Sequence, residues 1–414
     1  MQYRYMKMPG IVRSWSVIQL LSLMMLLASG RAAAQQWSDT VLPVSLTVGY
    51  AVRLVDLNRD NRLDIAIVDS KRLLWLENPT WKTHVIWETP NARADNVCFA
   101  PNDIDGDGDL DFAVGYDWQP NNTANGGSIG WLESPSDPRS TWPLHVLTTD
   151  EPTVHRMNWG DIDGDRTKEL IVVPLKGRSA TAPGWDDRNV RVSRWNVAVD
   201  PKQSWSNSTI EETLPVMHNF QVIDFNRDGR DELLLASFQG VHLWSQPDNR
   251  GSRSLVHLGT GHEGKAPERG ASEIRCGRLD SQRRFIATVE PWHGNEIVVY
   301  EEPTGKSNAN ATDPLWPRMV IDNELKWAHA VAFANLDSDE ADELIIGVRD
   351  EALPHRCGVR ICDRGSDGNW NRQLLNPGQV AVEDLAVGDL DGDGRNDIVA
   401  VGRATKNAVL YQLK

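Results

Sequence analysis

Six times the chain writes a nine-residue acidic loop ahead of an apolar run: DLNRDNRLD (Asp56–Asp64), DIDGDGDLD (Asp103–Asp111), DIDGDRTKE (Asp161–Glu169), DFNRDGRDE (Asp224–Glu232), NLDSDEADE (Asn335–Glu343) and DLDGDGRND (Asp389–Asp397). Alternate residues of an extended turn point the same way, so side-chain oxygens at positions one, three, five and nine can converge. Hard cations such as Ca²⁺ take about six to eight oxygen ligands of this type. The candidate calcium ligands are therefore Asp56, Asn58, Asp60 and Asp64; Asp103, Asp105, Asp107 and Asp111; Asp161, Asp163, Asp165 and Glu169; Asp224, Asn226, Asp228 and Glu232; Asn335, Asp337, Asp339 and Glu343; and Asp389, Asp391, Asp393 and Asp397. EF-hands are excluded, because they place a glutamate at the twelfth loop position between two helices. A single aspartate-rich turn reads as well as a solvated loop. Six in register do not.

Self-similarity at a period of tens of residues means a repeat fold. A seventh, decayed copy, RLDSQRRF (Arg278–Phe285), carries Arg278 and Arg284 where a cation would be repelled. With it the loops start at 56, 103, 161, 224, 278, 335 and 389. That spacing gives room for about four short strands per unit. Two aromatic landmarks share the register: Trp75, Trp131, Trp195, Trp244, Tyr300 and Tyr411 after the loops, with Cys362 in the sixth unit, and Trp81, Trp142, Trp205, Trp316 and Trp370 opening the last strand. Seven four-stranded units around an axis make an all-β, seven-bladed β-propeller. The last unit ends after three strands, so the ring is expected to close with the run from Gln36 to Val44, which begins with Trp37 like the other fourth strands.

The chain has 414 residues and a formal charge of −15. No basic patch suggests nucleic acid. Residues 1–34 read as a secretory signal, with Arg4, Lys7 and Arg13 ahead of an apolar stretch and Ala32–Ala34 offering a cleavage site. The apolar stretch is short for a membrane span and no later segment is long enough. The expected mature protein is a single propeller, residues 35–414, secreted, periplasmic or displayed at the cell surface. Four cysteines are too few for a disulfide scaffold. Cys98 and Cys276 read as core residues, and Cys357 and Cys362 are poorly spaced for a bond.

The loops and their strands resemble the FG-GAP/VCBS repeats of calcium-binding propellers, including integrin α-chains, across residues 36–414. That resemblance implies calcium and the fold, and no single activity. Arg166 and Glu340 replace the turn glycine, as Asn61 does more mildly, while Asn58 and Asn226 replace carboxylates. Those departures are expected to weaken individual sites.

Six residues before each loop the units read Tyr50, Val97, His155, His218, Ser272, His329 and Glu383, and the next position reads Ala51, Cys98, Arg156, Asn219, Glu273, Ala330 and Asp384. Position four before the loop is apolar throughout, so period-two alternation turns the neighbours toward the axis, with Arg53, Asn158, Gln221 and Arg275 one layer down. Three of ten histidines share one repeat position, and His262 and His293, in loops of the decayed unit, are expected to reach the same mouth. Imidazoles facing carboxylates across a small ring suit Zn²⁺ with an open position, or acid–base work on a bound substrate. The plainer reading is a polar, watery channel.

The runs His329–Asp350 and Val382–Tyr411 also resemble the propeller portion of aldos-2-ulose dehydratases. This resemblance implies a sugar-dehydrating lyase with zinc in the propeller cleft. On that reading His218, His293 and His329 hold zinc, His155 transfers the proton, and Arg156 or Glu273 contacts sugar hydroxyls. The alternative is a non-catalytic propeller binding a glycan or protein at the cell surface. Trp118, Trp185, Trp292 and Trp327 could then stack on sugars, and three sequons (Asn121, Asn207, Asn310) mark surface loops.

Overall fold

The computed structural model describes Met1 and residues 35–89, 95–247, 255–304, 315–337, 339–349, 357–365 and 367–414. The expected leader, apart from Met1, and the Asn310 sequon lie outside the described residues. Within the compact unit Trp37–Leu413, the chain forms seven antiparallel sheets of four strands each. No helix occurs among the described residues.

Six blades use consecutive strands. The seventh combines Val382–Gly388, Asp397–Gly402 and Ala408–Leu413 with the N-terminal strand Trp37–Val41, which pairs antiparallel to Ala408–Leu413. Each innermost strand packs against those of both neighbouring blades, so the ring is closed. Sheet closure of this kind leaves no long open edge at the seam.

The loop-bearing pattern follows from burial. Every second strand, from Asp64–Asp69 in blade 1 to Asp397–Gly402 in blade 7, is buried at nearly every residue because neighbouring blades cover both faces. The apolar residues between blades form contiguous clusters, such as Phe225, Leu234, Ile274 and Tyr300 between blades 4 and 5. The third-strand landmarks Trp75, Trp131, Trp244, Tyr300 and Tyr411 are all buried, as is Cys362. Cys98, Cys276 and Cys362 are free thiols.

Strict alternation does not by itself account for the axial positions. In five blades the residue six before the loop interrupts the inner strand's pairing: Tyr50, His155, His218, His329 and Glu383 each sit at a register shift. A bulge of this type inserts one residue and re-aims its side chain. Blades 2 and 5, with Val97 and Ser272 there, show no such shift.

Candidate functional site

The acidic loops join the first strand of each blade to the second. In five of the six, the ninth-position carboxylate accepts from the second residue's backbone N–H at 2.8–3.2 Å, as Asp64 does from Leu57 and Glu232 from Phe225. Glu343 does the same for Leu336. The first aspartate accepts from later loop amides, Asp103 from Gly106 and Gly108 at 2.8 and 3.0 Å. Left-handed backbone at the sixth position is met by Gly108, Gly229 and Gly394 and also by Asn61 and Arg166, with φ of 63° and 74°. The turn therefore survives the loss of glycine.

In four loops three carboxylate oxygens lie within 4.8 Å of one another: Asp103, Asp105 and Asp107; Asp161, Asp163 and Asp165; Asp337, Asp339 and Glu343; Asp389, Asp391 and Asp397. The loops with Asn58 and Asn226 do not form such a cluster. Burial, aggravated by nearby loop acids, raises the ninth carboxylates: Asp64 and Asp397 to about 6, Asp111, Glu169 and Glu232 to about 7, and Glu343 to about 8. An oxygen-rich, charge-crowded turn of this kind fits a hard cation.

Blade 5 solves the same problem differently. Strand pairing puts Arg284 where blade 1 has Asp64, since Ile286 faces Tyr300 as Ala66 faces Trp75. Its guanidinium binds Glu302 at 2.9 Å and donates to the carbonyl of Phe225 in blade 4. Arg278 in turn pairs with Asp342 of blade 6 at 2.9 Å. Built-in cations stand where the other blades gather carboxylates.

At the opposite end of the inner strands, His218, His293 and His329 bring one ring nitrogen each within 4.8 Å of the others. His155 lies beside them, its ring centroid 4.6 Å from that of His218. His155 Nδ1 meets the carbonyl of His218 at 3.0 Å, and His329 Nδ1 meets that of Glu383 at 2.7 Å. A carbonyl only accepts, so each Nδ1 carries the proton and each Nε2 keeps its lone pair. In both cases the carbonyl belongs to the bulged residue of the next blade, so the repeat itself sets the tautomer. His218 Nδ1 lies 2.7 Å from Glu273 Oε1, close enough to pair, though neither atom makes an aligned hydrogen bond. Glu273 also accepts from Asn219 and sits 3.8 Å from Arg156.

His293 arrives from blade 5, in the turn between Arg284–Glu290 and Glu296–Glu301. It adopts φ of 53°, a left-handed conformation that costs a non-glycine residue energy and is concentrated at functional sites. Trp292 stacks on it with centroids 4.5 Å apart, and a Cβ on Gly294 would meet Glu290 O at 2.1 Å. Arg349 donates to His293 Nδ1 at 3.3 Å, so the His293 proton sits on Nε2, 2.7 Å from His218 Nε2. Burial first, then nearby positive charge (Arg156 at all four rings and Arg349 at His218, His293 and His329), holds each pKa well below that of free histidine. All four are neutral, the form that ligates metal or accepts a proton. The donor set fits zinc: three convergent imidazole nitrogens, one backed by a carboxylate and one by a backbone carbonyl. His293 is the ligand whose Nε2 proton would have to leave.

Expected and observed placements differ at the edges. His262 does not join this group; it faces Glu296 at 3.3 Å. The sequence reading missed Arg349 and Arg403, which both bind Glu383, at 2.7 and 2.9 Å. Each lies six residues beyond its blade's ninth loop position, where the second strand returns to the end at which the first began. That antiparallel return was the available signal.

Comparison with known proteins reaches the same region. Residues 126–303 match the family described as aldos-2-ulose dehydratase, beta-propeller domain. The matched segment contains His155, Arg156, His218, Glu273 and His293, while His329 lies beyond it. Residues 56–114 match the FG-GAP-like repeat. An aldos-2-ulose dehydratase from Phanerodontia chrysosporium is 27% identical over 260 residues, covering 58% of this chain and 28% of that protein. The chain thus spans less than a third of that relative's length. A chain from the crystal structure of the mitotic checkpoint complex aligns with a TM-score of 0.55 over 90% of this chain and 92% of that one, at 12% identity, a likeness of fold alone.

Proposed function

We propose that the protein is a carbohydrate lyase that removes water from a sugar at the propeller axis, with zinc at the histidine cluster. The observation that carries this is the convergence of four neutral imidazoles, two with tautomers fixed by neighbouring blades, three of them (His155, His218 and His293) within the segment similar to a dehydratase propeller. His218, His293 and His329 would hold the ion, which when bound supplies Lewis acidity toward a substrate carbonyl. His155 is the base: its Nε2 lone pair is free and its ring neutral, as removal of a proton beside a carbonyl requires. Arg156 donates to the carbonyl of His155 at 3.2 Å, and Glu273 is engaged by His218 and Asn219, so both position the histidines. The elimination takes a C–H proton, forms a C=C bond and expels the neighbouring hydroxyl as water.

The six acidic loops are proposed as calcium sites that fasten the ring, and residues 1–34 as an export signal, calcium being abundant outside the cell. Incubation with 1,5-anhydrofructose tests the activity. The wild type is expected to generate enone absorbance in the ultraviolet and His155→Ala to lose it; no absorbance from well-folded, zinc-loaded wild type sinks the lyase reading. Trp327, 50% exposed and 5.9 Å from the Arg349 guanidinium, favours a second reading, a sugar-binding propeller without turnover. Binding of sugars with no product would support it.

A further inference from the structure

We propose that the axial site is built for a sugar acid, whose carboxylate is received by Arg403 together with Arg349; this rests on the axis being a carbohydrate site. Around the histidines the described residues place three guanidinium groups, Arg156, Arg349 and Arg403, against two carboxylates, Glu273 and Glu383. Glu383 is shared. Its Oε2 takes Arg349 at 2.7 Å and its Oε1 takes Arg403 at 2.9 Å, so one charge faces two. The neutral imidazoles add nothing to offset this. Asp95, hydrogen-bonded to Tyr50 at 2.8 Å, is already matched by Lys71 at 3.2 Å.

The imbalance repeats one layer down. Arg53 has Asp384 at 3.1 Å, whereas Arg275 donates to the carbonyls of Phe220 and Ile274. A chain of formal charge −15 therefore lines its axis with surplus positive charge among the described residues. Buried charges are normally paired, and an unpaired one is costly. A bound anion supplies the missing partner.

Geometry narrows the anion. Glu383 holds the two guanidinium groups side by side, and the Arg403 side chain remains 38% exposed. Arg349 Nε is buried without a partner. Guanidinium forks match a carboxylate with two parallel hydrogen bonds. Trp327 beside Arg349 offers a flat apolar face for the C–H side of a pyranose ring. A carboxylate on a sugar ring satisfies both features at once, and a neutral sugar leaves the charge unanswered.

The test is calorimetric titration of the full chain with D-glucuronate, D-glucose and inorganic phosphate, repeated on Arg403→Gln. The expected result is binding of glucuronate at least about tenfold tighter than of glucose or phosphate, with about a tenfold or greater loss in Arg403→Gln. Glucose binding as tightly as glucuronate overturns the acid preference while leaving the carbohydrate reading in place. Phosphate binding as tightly as glucuronate overturns the sugar acid in favour of a bare anion site. Binding of none of the three removes the carbohydrate reading as well. Melting curves check the fold; if Arg403→Gln does not fold, Arg403→Lys, which keeps the charge but loses the fork, must show the same selective loss.

Discussion

Calcium should stabilise this propeller far more at about pH 8 than at about pH 5. Without an ion, the six ninth-position carboxylates titrate at about 6 to 8 in the fold; unfolded, they titrate near the usual value of about 4. A raised folded-state pKa contributes stability that is fully present below about pH 4 and is lost as pH rises through about 6 to 8. A bound cation removes that loss by favouring the ionised form, and below about pH 6 it must first displace protons. Each filled loop adds about 2.7 kcal/mol when free Ca²⁺ is about a hundredfold above its Kd. Unfolding entropy near 2.1 cal/mol/K per residue over roughly 380 residues gives about 0.8 kcal/mol/K. Each ion is then worth roughly 3 °C, and the four loops whose oxygens already cluster about 12–14 °C together. Scanning calorimetry in excess Ca²⁺ and in EGTA, at the two pH values, measures this. Equal shifts at both pH values, or none, would refute the reasoning.

Four further outcomes are expected. Glu273→Gln removes the carboxylate behind His218 and should weaken zinc binding by about 10–100-fold, read by competition with a chromophoric chelator; unchanged affinity would contradict the ligand assignment. Gly294→Ala drives a Cβ into Glu290 O, so it should displace His293 and cost zinc affinity while leaving calcium stabilisation intact in calorimetry. Arg284→Ala strands Glu302, which is 4% exposed, and should destabilise by about 3–5 kcal/mol; urea titration should show that added calcium does not restore it. Asp111→Ala in blade 2 should lower the calcium-dependent part of the melting temperature by roughly 3 °C, and a loss that persists undiminished in EGTA would assign it to packing instead.

The blade count, the strand order and the seam were legible because the acidic loops and the third-strand aromatics repeat in register. Trp37 marks the closing strand for the same reason: tryptophan stands at or just before the fourth strand in six of the seven blades, at Trp81, Trp142, Trp205, Trp316, Trp370 and Trp37. The axial histidines were located by counting back from the loops, although the reason they face inward was not visible. Bulges at His155, His218 and His329 carry no glycine or other compositional mark; strict alternation would put these residues on the same face as the apolar fourth position, and the bulge is what re-aims them. Arg349 and Arg403 were missed because they are departures in two blades at a position that reads Ser70, Asp117, Leu175, Phe238 and Glu290 in the other five. His262 was over-read. Its loop belongs to the reshaped fifth unit, yet hydrogen bonds with Gly270 and the Glu296 carboxylate hold it away from the cluster.

Metal content of the purified protein tests the central claim most directly. Mass spectrometry of metals should find about one zinc per chain in addition to calcium, with zinc lost and the calcium-dependent melting curve kept in His218→Ala. Calcium alone in the wild type, under conditions where zinc was supplied, would contradict the axial metal site and the chemistry proposed for it.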